Sequence, residues 1–293
     1  MNKRVLTRAS GDPDSLVELL SARLGVDARQ AKAWITAGSV YVGGKRIAAP
    51  CAVAIGDKLT VFIAAPAAPT SVPTIIHQDD WMAVLDKPPG MASQAEVRQR
   101  SAALDAFALR TFGPDARMLH RLDKEASGLV LFALVPRALA PLQAALESGA
   151  IDRRYVALVD GELRGEGTIR LRIARHPEDR RLRAALPENA PAGEVASSHY
   201  RSLAHATWKG RHLSALELTL ETGRTHQLRV HLSAHGHPIV GDNAYRGPAF
   251  QRLCLHAHAL EVPHPRDGDR LRLSAPLPES FATLVPGLTR PFT

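Results

Sequence analysis

Apolar positions near the start of the chain follow a helical period and then change to short strand-like runs. Four leucines at helical spacing predict a first helix: Leu16, Leu19, Leu20 and Leu24. Asp27 is placed to cap a second helix, and Gly38 is placed to end it. Residues 40–47 run through a Gly-Gly turn and predict a hairpin, and residues 58–63 predict a closing strand.

A larger mixture of strand and helix signals begins after residue 74. Four short apolar or alternating runs predict strands: residues 83–85, 130–133, 155–159 and 213–222. The amphipathic stretch 136–146 predicts a helix, and the histidine-rich context of residues 230–234 favours a second helix over a strand. The polar stretch 176–195 contains prolines and is typical of a long surface loop.

A proline-rich segment separates these two parts of the chain. Residues 64–73 read AAPAAPTSVP, with three prolines and neither charge nor a large apolar side chain. Such a composition is typical of a semi-rigid linker. We therefore expect one domain at residues 1–64, a linker at 65–73 and a second domain at 74–293.

Composition narrows the functional classes. The chain has 293 residues, a formal charge of +8 and a pI of about 9.9, and a basic surface attracts polyanions such as nucleic acids. Its two cysteines, Cys51 and Cys254, lie far apart, which argues against a disulfide framework and against a cysteine-built zinc site. Neither a signal peptide nor a long apolar run is visible, so we expect a soluble cytoplasmic protein without a membrane segment.

The smaller unit carries a motif of its own, because residues 35–44 read ITAGSVYVGG after two predicted helices. This arrangement resembles the alpha-L RNA-binding domain, in which a helix pair precedes such a hairpin. Gly43 stands where that family usually has asparagine, and glycine can still make the tight turn. The resemblance implies that five basic side chains contact RNA phosphates: Arg23, Arg29, Lys32, Lys45 and Arg46. A solvated basic face on a protein-interaction module is the alternative.

Three blocks of the larger unit concentrate polar side chains. They read HRLDKEASG at 120–128, ETGRTHQLRVH at 221–231 and GHPIVGDNAY at 236–245. In the first block, Asp123 stands beside an arginine in a turn that leads into an apolar strand, which suits a catalytic acid group. A turn or cap residue is an equally good interpretation of Asp123 alone. The second block clusters hydrogen-bond donors suited to an anion or a nucleic-acid backbone.

Together with further blocks, these motifs resemble RNA pseudouridine synthases of the ribosomal large-subunit type. The further blocks are DKPPG at 86–90, YVALV at 155–159, LHA at 255–257 and HP at 264–265. The combination is far more specific than any one block. It implies an α+β protein: a pseudouridine synthase fold with a central, mostly antiparallel sheet flanked by helices and loops, and the small α+β RNA-binding domain before it.

The resemblance also implies roles for particular residues. Asp123 matches the catalytic aspartate, Arg224 matches the arginine that pairs with it, and Tyr155 matches the tyrosine that stacks on the flipped uracil. Arg121 matches the arginine that enters the RNA stack where the base leaves, and Leu228 matches an apolar pocket residue. Three neighbours complete the expected substrate-binding set: His120, Thr225 and His226.

The family reaction rearranges uridine without redox change or a group donor, so neither a cofactor nor a metal is expected. The expected partner is RNA, ribosomal RNA first and transfer RNA second, and the family suggests a monomer. The target uridine stays open, as does whether Asp123 attacks the ribose or removes its proton. Ala126 and Asp86 replace the threonine and asparagine usual in the family. Lys87 either supports the fold or contacts a phosphate.

Two other functional classes fit parts of the sequence. Four closely spaced histidines suggest a metal-dependent hydrolase, although no ligand motif such as HExxH contains them: His226, His231, His235 and His237. A non-catalytic RNA-binding or ribosome-assembly protein would share the basic charge. It would not need Asp123, Tyr155 and Arg224 together. Asp242 and Tyr245 are expected to support the fold.

Overall fold

The computed structural model describes four stretches of the chain: residues 2–36, 39–63, 72–94 and 103–288. The chain divides into two units, Met1–Pro69 and Thr70–Thr293. The division falls inside the predicted linker at 65–73, most of which lies outside the described residues. Each unit has a hydrophobic core of its own.

The N-terminal unit packs two short helices on a small antiparallel sheet. Its elements are β1 (Asn2–Thr7), α1 (Leu16–Leu24), α2 (Ala28–Thr36), β2 (Val40–Val42), β3 (Lys45–Ile47) and β4 (Lys58–Ile63). The strand order is β1-β4-β2-β3. Leu16, Leu20, Ile35 and Leu59 are fully buried in the core between the helices and the sheet.

Both predicted helices, the hairpin and the closing strand are confirmed in this unit. Gly43 and Gly44 join β2 to β3 with φ of 54° and 81°, a left-handed conformation that glycine adopts without strain. β1 is absent from the sequence prediction because its residues are mostly polar and basic. Its position is decided by pairing with β4 along its whole length. Gly38 lies outside the described residues.

The larger unit is built around one extended sheet. Its elements are β5 (Thr74–Gln78), β6 (Met82–Lys87), α3 (Leu104–Phe112), β7 (Arg117–Met118), β8 (Ser127–Ala133), α4 (Pro136–Glu147), β9 (Asp152–Asp160), β10 (Glu166–Arg175), β11 (Arg183–Leu186), β12 (Glu194–Trp208), β13 (Arg211–Leu220), α5 (Gln227–Ala234), β14 (Leu255–Pro263), β15 (Arg270–Ser274) and α6 (Glu279–Leu284). Within the described residues the sheet has 11 strands in the order β11-β10-β12-β13-β9-β14-β8-β6-β5, with β15 beside β14 and β7 beside β8.

The pairing of this sheet is antiparallel except between β14 and β8. β8 is buried along its whole length because both faces of the sheet are covered. Val130 and Phe132 join the core that also contains residues of α3, α5 and α6, whereas Leu129 and Leu131 join a second core with α4. The predicted α+β class with a mostly antiparallel sheet flanked by helices is therefore confirmed.

The prediction of a long surface loop at 176–195 is wrong in part. Residues 183–186 form β11, which pairs with Arg172–Arg175 of β10, and β12 already begins at Glu194. β11 is a strand because its backbone pairs with β10, and the polar local sequence gives no sign of that pairing. Ala185 packs beside Val230 of α5, so the hairpin lies against the helix that carries the second polar block.

No helix in the described stretches is long and apolar enough to cross a membrane.

Candidate active site

The loop that carries Asp123 joins β7 to β8 and is anchored at both ends. Ser93 Oγ donates to Leu122 O at 2.6 Å and accepts the Leu122 N–H at 3.0 Å. At the start of β8, Gly128 has φ of 115°, and a Cβ there would lie 2.3 Å from Ala257 O. Only glycine therefore lets β8 run this close to β14, which sets the position of the Asp123 loop relative to the sheet.

Lys87 supports the same loop from the interior. Its side chain is fully buried, and its Nζ donates to Lys124 O at 3.3 Å and to Ala126 O. Nζ also donates to Pro88 O at 3.1 Å and Met91 O at 2.9 Å. Burial lowers the pKa of Lys87 to about 7. Because a fully buried amine cannot reach an RNA phosphate, the structural interpretation of Lys87 is the correct one.

Asp123 pairs with Arg229, the third residue of α5. Arg229 Nη1 donates to Asp123 Oδ2 at 3.2 Å. The rest of the guanidinium is held by Asp242, with Nε to Oδ2 at 2.7 Å and Nη2 to Oδ1 at 2.9 Å. Burial alone would lower the pKa of Arg229, but the carboxylates of Asp242 and Asp123 raise it. The charged guanidinium of Arg229, held by two hydrogen bonds to Asp242, is thus fixed beneath Asp123.

The predicted pairing of Arg224 with Asp123 is wrong. Arg224 Nη1 lies 2.8 Å from Glu194 Oε1, and its Nε donates to Val195 O at 3.3 Å. Its side chain is 39% exposed, against 6% for Arg229. Arg224 precedes α5 in a turn and points toward the start of β12, whereas the helical position of Arg229 points inward. Both side chains line the same cleft, but only Arg229 contacts the aspartate.

Asp123 opens into a cleft of about 610 Å³ between β9 and the segment that leads into α5. Tyr155 of β9 and Leu228 of α5 are buried and line this cleft. Burial raises the pKa of Tyr155 while the charge of Arg153 opposes it. The structure thus brings Asp123, Tyr155 and Leu228 together in one cavity, as the resemblance implies.

Arg121 and Thr225 bridge the two sides of the cleft. Arg121 is exposed, and its Nη2 donates to Thr225 Oγ1 at 3.2 Å. The contact joins the Asp123 loop to the turn before α5, two segments about a hundred residues apart in the chain. An exposed arginine at the mouth of the cleft is free to rearrange when a large ligand enters.

His120 and Arg153 form the wall next to Tyr155. His120 Nε2 accepts the Leu131 N–H at 3.3 Å, which ties its ring to β8. Burial, and then the charge of Arg153, lower the pKa of His120 to about 3, so its ring is neutral near pH 7. Arg153 is missing from the sequence prediction. It lies two residues before Tyr155 on the same face of β9, so the period-2 rule could have found it.

The turn before α5 is held by Gln227, which the sequence places in the donor cluster of the second polar block without a role of its own. Its Oε1 accepts from Thr222 Oγ1 at 2.8 Å and from the Arg224 N–H at 3.0 Å. Its Nε2 donates to Ser197 O and Ser198 Oγ at 2.9 Å each. This buried amide fastens the turn to β12 and so fixes where the cleft residues of the second polar block stand.

His226 is the residue immediately before α5 and stands opposite Asp123. Its backbone is left-handed, with φ of 58°. Its Nδ1 lies 2.8 Å from the Tyr245 hydroxyl, and its Nε2 lies 3.9 Å from Asp123 Oδ1. Burial lowers the pKa of His226, with the charge of Asp123 opposing. The imidazole and the aspartate thus face the same space without a direct hydrogen bond.

Of the four histidines that suggested a metal site, His235 and His237 lie side by side, with ring centroids 6.0 Å apart. Within the described residues, no group of three or more His, Cys, Asp or Glu side chains could hold a metal ion. His231 is fully buried in α5, and burial lowers its pKa to about 4. His237 Nδ1 lies 3.0 Å from Asp160 O. Core packing therefore explains the position of His231, and a backbone contact explains that of His237.

The predicted phosphate-binding residues of the N-terminal unit lie at its surface where they are described. Lys32, Lys45 and Arg46 are exposed. Arg23 is 42% exposed and lies 3.2 Å from Asp12 Oδ1. The side chain of Arg29 lies outside the described part.

Comparison with known proteins identifies the class. The family described as RNA pseudouridylate synthase matches residues 81–234, a stretch that contains the Asp123 loop, β9 and α5. The chain therefore belongs to the RNA pseudouridylate synthase family and is an isomerase that acts on RNA. The family, the enzyme class and the fold predicted from the motifs are confirmed.

Particular relatives agree with this assignment. The chain is 34% identical over 281 residues to ribosomal large subunit pseudouridine synthase D of Xanthomonas campestris, covering 87% of this chain and 82% of that protein. It is 31% identical over 296 residues to an uncharacterized RNA pseudouridine synthase of Bacillus subtilis, covering 96% and 95%. The solved structure of human RNA Pseudouridylate Synthase Domain Containing 1 matches with a TM-score of 0.60 at 26% identity, covering 71% of this chain and 85% of that one.

Proposed function

We propose that this enzyme converts uridine to pseudouridine in large-subunit ribosomal RNA, with Asp123 as the catalytic carboxylate acting on a flipped-out nucleotide. The observation that carries the proposal is that Asp123 and Tyr155 line one cleft, with Asp123 held by the buried Arg229. The choice of RNA follows the relatives whose names specify the large ribosomal subunit.

The residues suit the bonds that must change. The bond from ribose C1′ to uracil N1 breaks, the ring turns, and C1′ joins C5, while C5 loses a proton and N1 gains one. A carboxylate can assist either by attacking C1′ or by removing a ribose proton. Arg229 donates to Asp123 Oδ2, whereas Oδ1 has no such partner among the described residues, and we infer that the carboxylate reacts through Oδ1.

The cleft also suits a nucleotide that has left its helix. Unstacking costs a few kcal/mol, and stacking of uracil on the buried Tyr155 ring offsets it. The exposure of Arg121 at the mouth supports a role for this side chain in filling the gap that the base leaves. Arg153 and Arg224 line the same cleft and add positive charge for the phosphates.

The N-terminal unit is proposed as an RNA-binding module of the alpha-L kind. Its two helices, the β2–β3 hairpin and the exposed Lys32, Lys45 and Arg46 support this role. Contacts from this unit would add affinity through phosphate charge without reading sequence. The cytoplasmic location and the monomeric state stay predictions.

The test is a purified-enzyme assay with three RNAs: large-subunit ribosomal RNA, small-subunit ribosomal RNA and transfer RNA transcripts. Pseudouridine is mapped by chemical modification and reverse-transcription stops. We expect a defined site in the large-subunit transcript, lost in Asp123→Asn while RNA binding persists. Asp115→Asn makes the same chemical change in an exposed turn and serves as the control. Full activity of Asp123→Asn, with deamidation excluded by mass spectrometry, would falsify the catalytic assignment.

A further inference from the structure

The His226 ring is held from its far side by Tyr245. The two rings are nearly perpendicular, at 87°, with centroids 5.7 Å apart. The Tyr245 hydroxyl lies 2.8 Å from His226 Nδ1 and accepts the Arg183 N–H of β11 at 2.9 Å. The guanidinium of Arg229 lies 5.0 Å from the centre of the Tyr245 ring. Tyr245 thus touches both side chains that face Asp123.

The hydrogen bonds of this hydroxyl favour one tautomer of His226. A tyrosine hydroxyl has a single proton to donate, and burial raises the pKa of Tyr245, which keeps that proton in place. The Arg183 N–H can only donate, so of the two groups that contact this oxygen only His226 Nδ1 can accept the hydroxyl proton. An Nδ1 that accepts a hydrogen bond carries no proton itself. In a neutral imidazole the proton then sits on Nε2.

His226 Nε2 faces the part of the cleft next to Asp123. It lies 3.9 Å from Asp123 Oδ1, beyond hydrogen-bond range. Asp123 Oδ2 is occupied by Arg229. A nucleoside placed with its ribose against Oδ1 brings its oxygens near the glycosidic bond, the uracil O2 and the ribose 2′-hydroxyl, within reach of this N–H.

We propose that Tyr245 is a positioning residue that locks His226 in the Nε2–H tautomer, and that this N–H donates a hydrogen bond to a uridine oxygen beside the glycosidic bond. The role of this N–H as a donor to uridine rests on the proposed function of Asp123, whereas the tautomer of His226 is independent of that function. As the base leaves C1′ with the bonding electrons, negative charge spreads onto its oxygens, and a fixed neutral donor stabilises that charge. The opposite tautomer would present a lone pair to the same oxygens.

The first experiment reads the tautomer directly, without RNA. Full-length enzyme is labelled with ¹⁵N-histidine, and the His226 resonances are assigned by their loss in His226→Gln. We expect a protonated Nε2 and an unprotonated Nδ1 near pH 7.5, and a mixed or reversed tautomer in Tyr245→Phe. Tyr200→Phe, which changes a half-buried tyrosine of β12 outside the cleft, should leave the His226 resonances unchanged, although its ring lies 5.9 Å from the ring of His235. A protonated Nδ1 in the wild type, or no change in Tyr245→Phe, overturns the proposal.

The second experiment separates positioning from simple structural support. Single-turnover rates are measured for Tyr245→Phe, His226→Gln and the double variant. The side-chain amide of glutamine replaces the Nε2 donor but has no tautomers. We expect Tyr245→Phe to slow isomerisation about tenfold with RNA affinity unchanged, the size of one hydrogen bond. In the His226→Gln background the same change should cost less than about twofold. An equal cost in both backgrounds would mean that Tyr245 acts only on the fold.

The tautomer measurement and the Asp123→Asn assay test different claims. If Asp123→Asn kept its activity but the tautomer shift occurred, the proposed catalytic role of Asp123 would be wrong and the Tyr245–His226 relation correct. If Asp123→Asn were inactive but the tautomer were independent of Tyr245, only this further inference would be lost.

Discussion

Exchange of Arg229 for lysine tests which arginine serves Asp123. Arg229 makes two hydrogen bonds to Asp242, at 2.7 and 2.9 Å, and one to Asp123 at 3.2 Å. A lysine ammonium keeps the charge, but it cannot span both carboxylates with a planar fork. At least one charge-assisted hydrogen bond is lost, and each is worth about 1.5–3 kcal/mol. Because Asp242 is buried, solvent does not replace the lost donor.

The free energy of one charge-assisted hydrogen bond sets the expected results for Arg229→Lys. The unfolding free energy should fall by about 1.5–3 kcal/mol in urea denaturation. If the bond to Asp123 is the one lost, the single-turnover rate should fall between about tenfold and about a hundredfold. RNA affinity, measured by filter binding, should change little, because Arg229 is buried beneath the aspartate.

Arg224→Lys is the matched control, because it makes the same substitution five positions earlier. Arg224 pairs with Glu194 at the surface, and exposed ion pairs contribute about 0.2–1 kcal/mol. Its stability and its isomerisation rate should therefore stay close to those of the wild type. If Arg224→Lys lost as much rate as Arg229→Lys at unchanged RNA affinity, the assignment of Arg229 as the partner of Asp123 would be refuted.

Three further predictions concern the cleft and the core. Tyr155→Phe should keep the stacking surface and most of the activity, whereas Tyr155→Ala should lose both; full activity of the alanine variant would refute the stacking role. Arg153→Ala should weaken RNA binding. The plot of the logarithm of the RNA association constant against the logarithm of the salt concentration should become less steep by about one. Arg154→Ala is its control, because Arg154 lies on the opposite face of β9 and pairs with Asp152 at 2.7 Å; equal losses would contradict a phosphate contact for Arg153. For His231, burial places the folded-state pKa at about 4, below the unfolded value of about 6.5, so the unfolded chain binds more protons between these values. Its contribution to stability is therefore fully present above about pH 6.5 and falls as the pH drops toward 4. His231→Leu should flatten the pH dependence of the urea midpoint in that window, and an unchanged slope would show that this residue does not titrate on unfolding.

The residue pattern over short stretches of the sequence determined several strands, one helix and the family of this protein. The apolar run at residues 130–133 predicted a strand buried on both faces, and β8 is such a strand. The amphipathic stretch at 136–146 could form a helix from its own periodicity. The ordered motifs around Asp123, Tyr155 and residues 221–231 identified the family, since each holds its spacing over a few residues.

Tertiary structure alone decided what depends on distant partners. Two arginines stand five residues apart in one motif, and only the start of α5 and the position of Asp242 determine that Arg229 turns inward while Arg224 turns to Glu194. Likewise, β11 exists because β10 lies beside it, and Tyr245 reaches His226 because a turn after α5 brings it back. Side-chain direction and long-range pairing are properties of the packed chain, because the groups that stabilise each of them are far away in sequence.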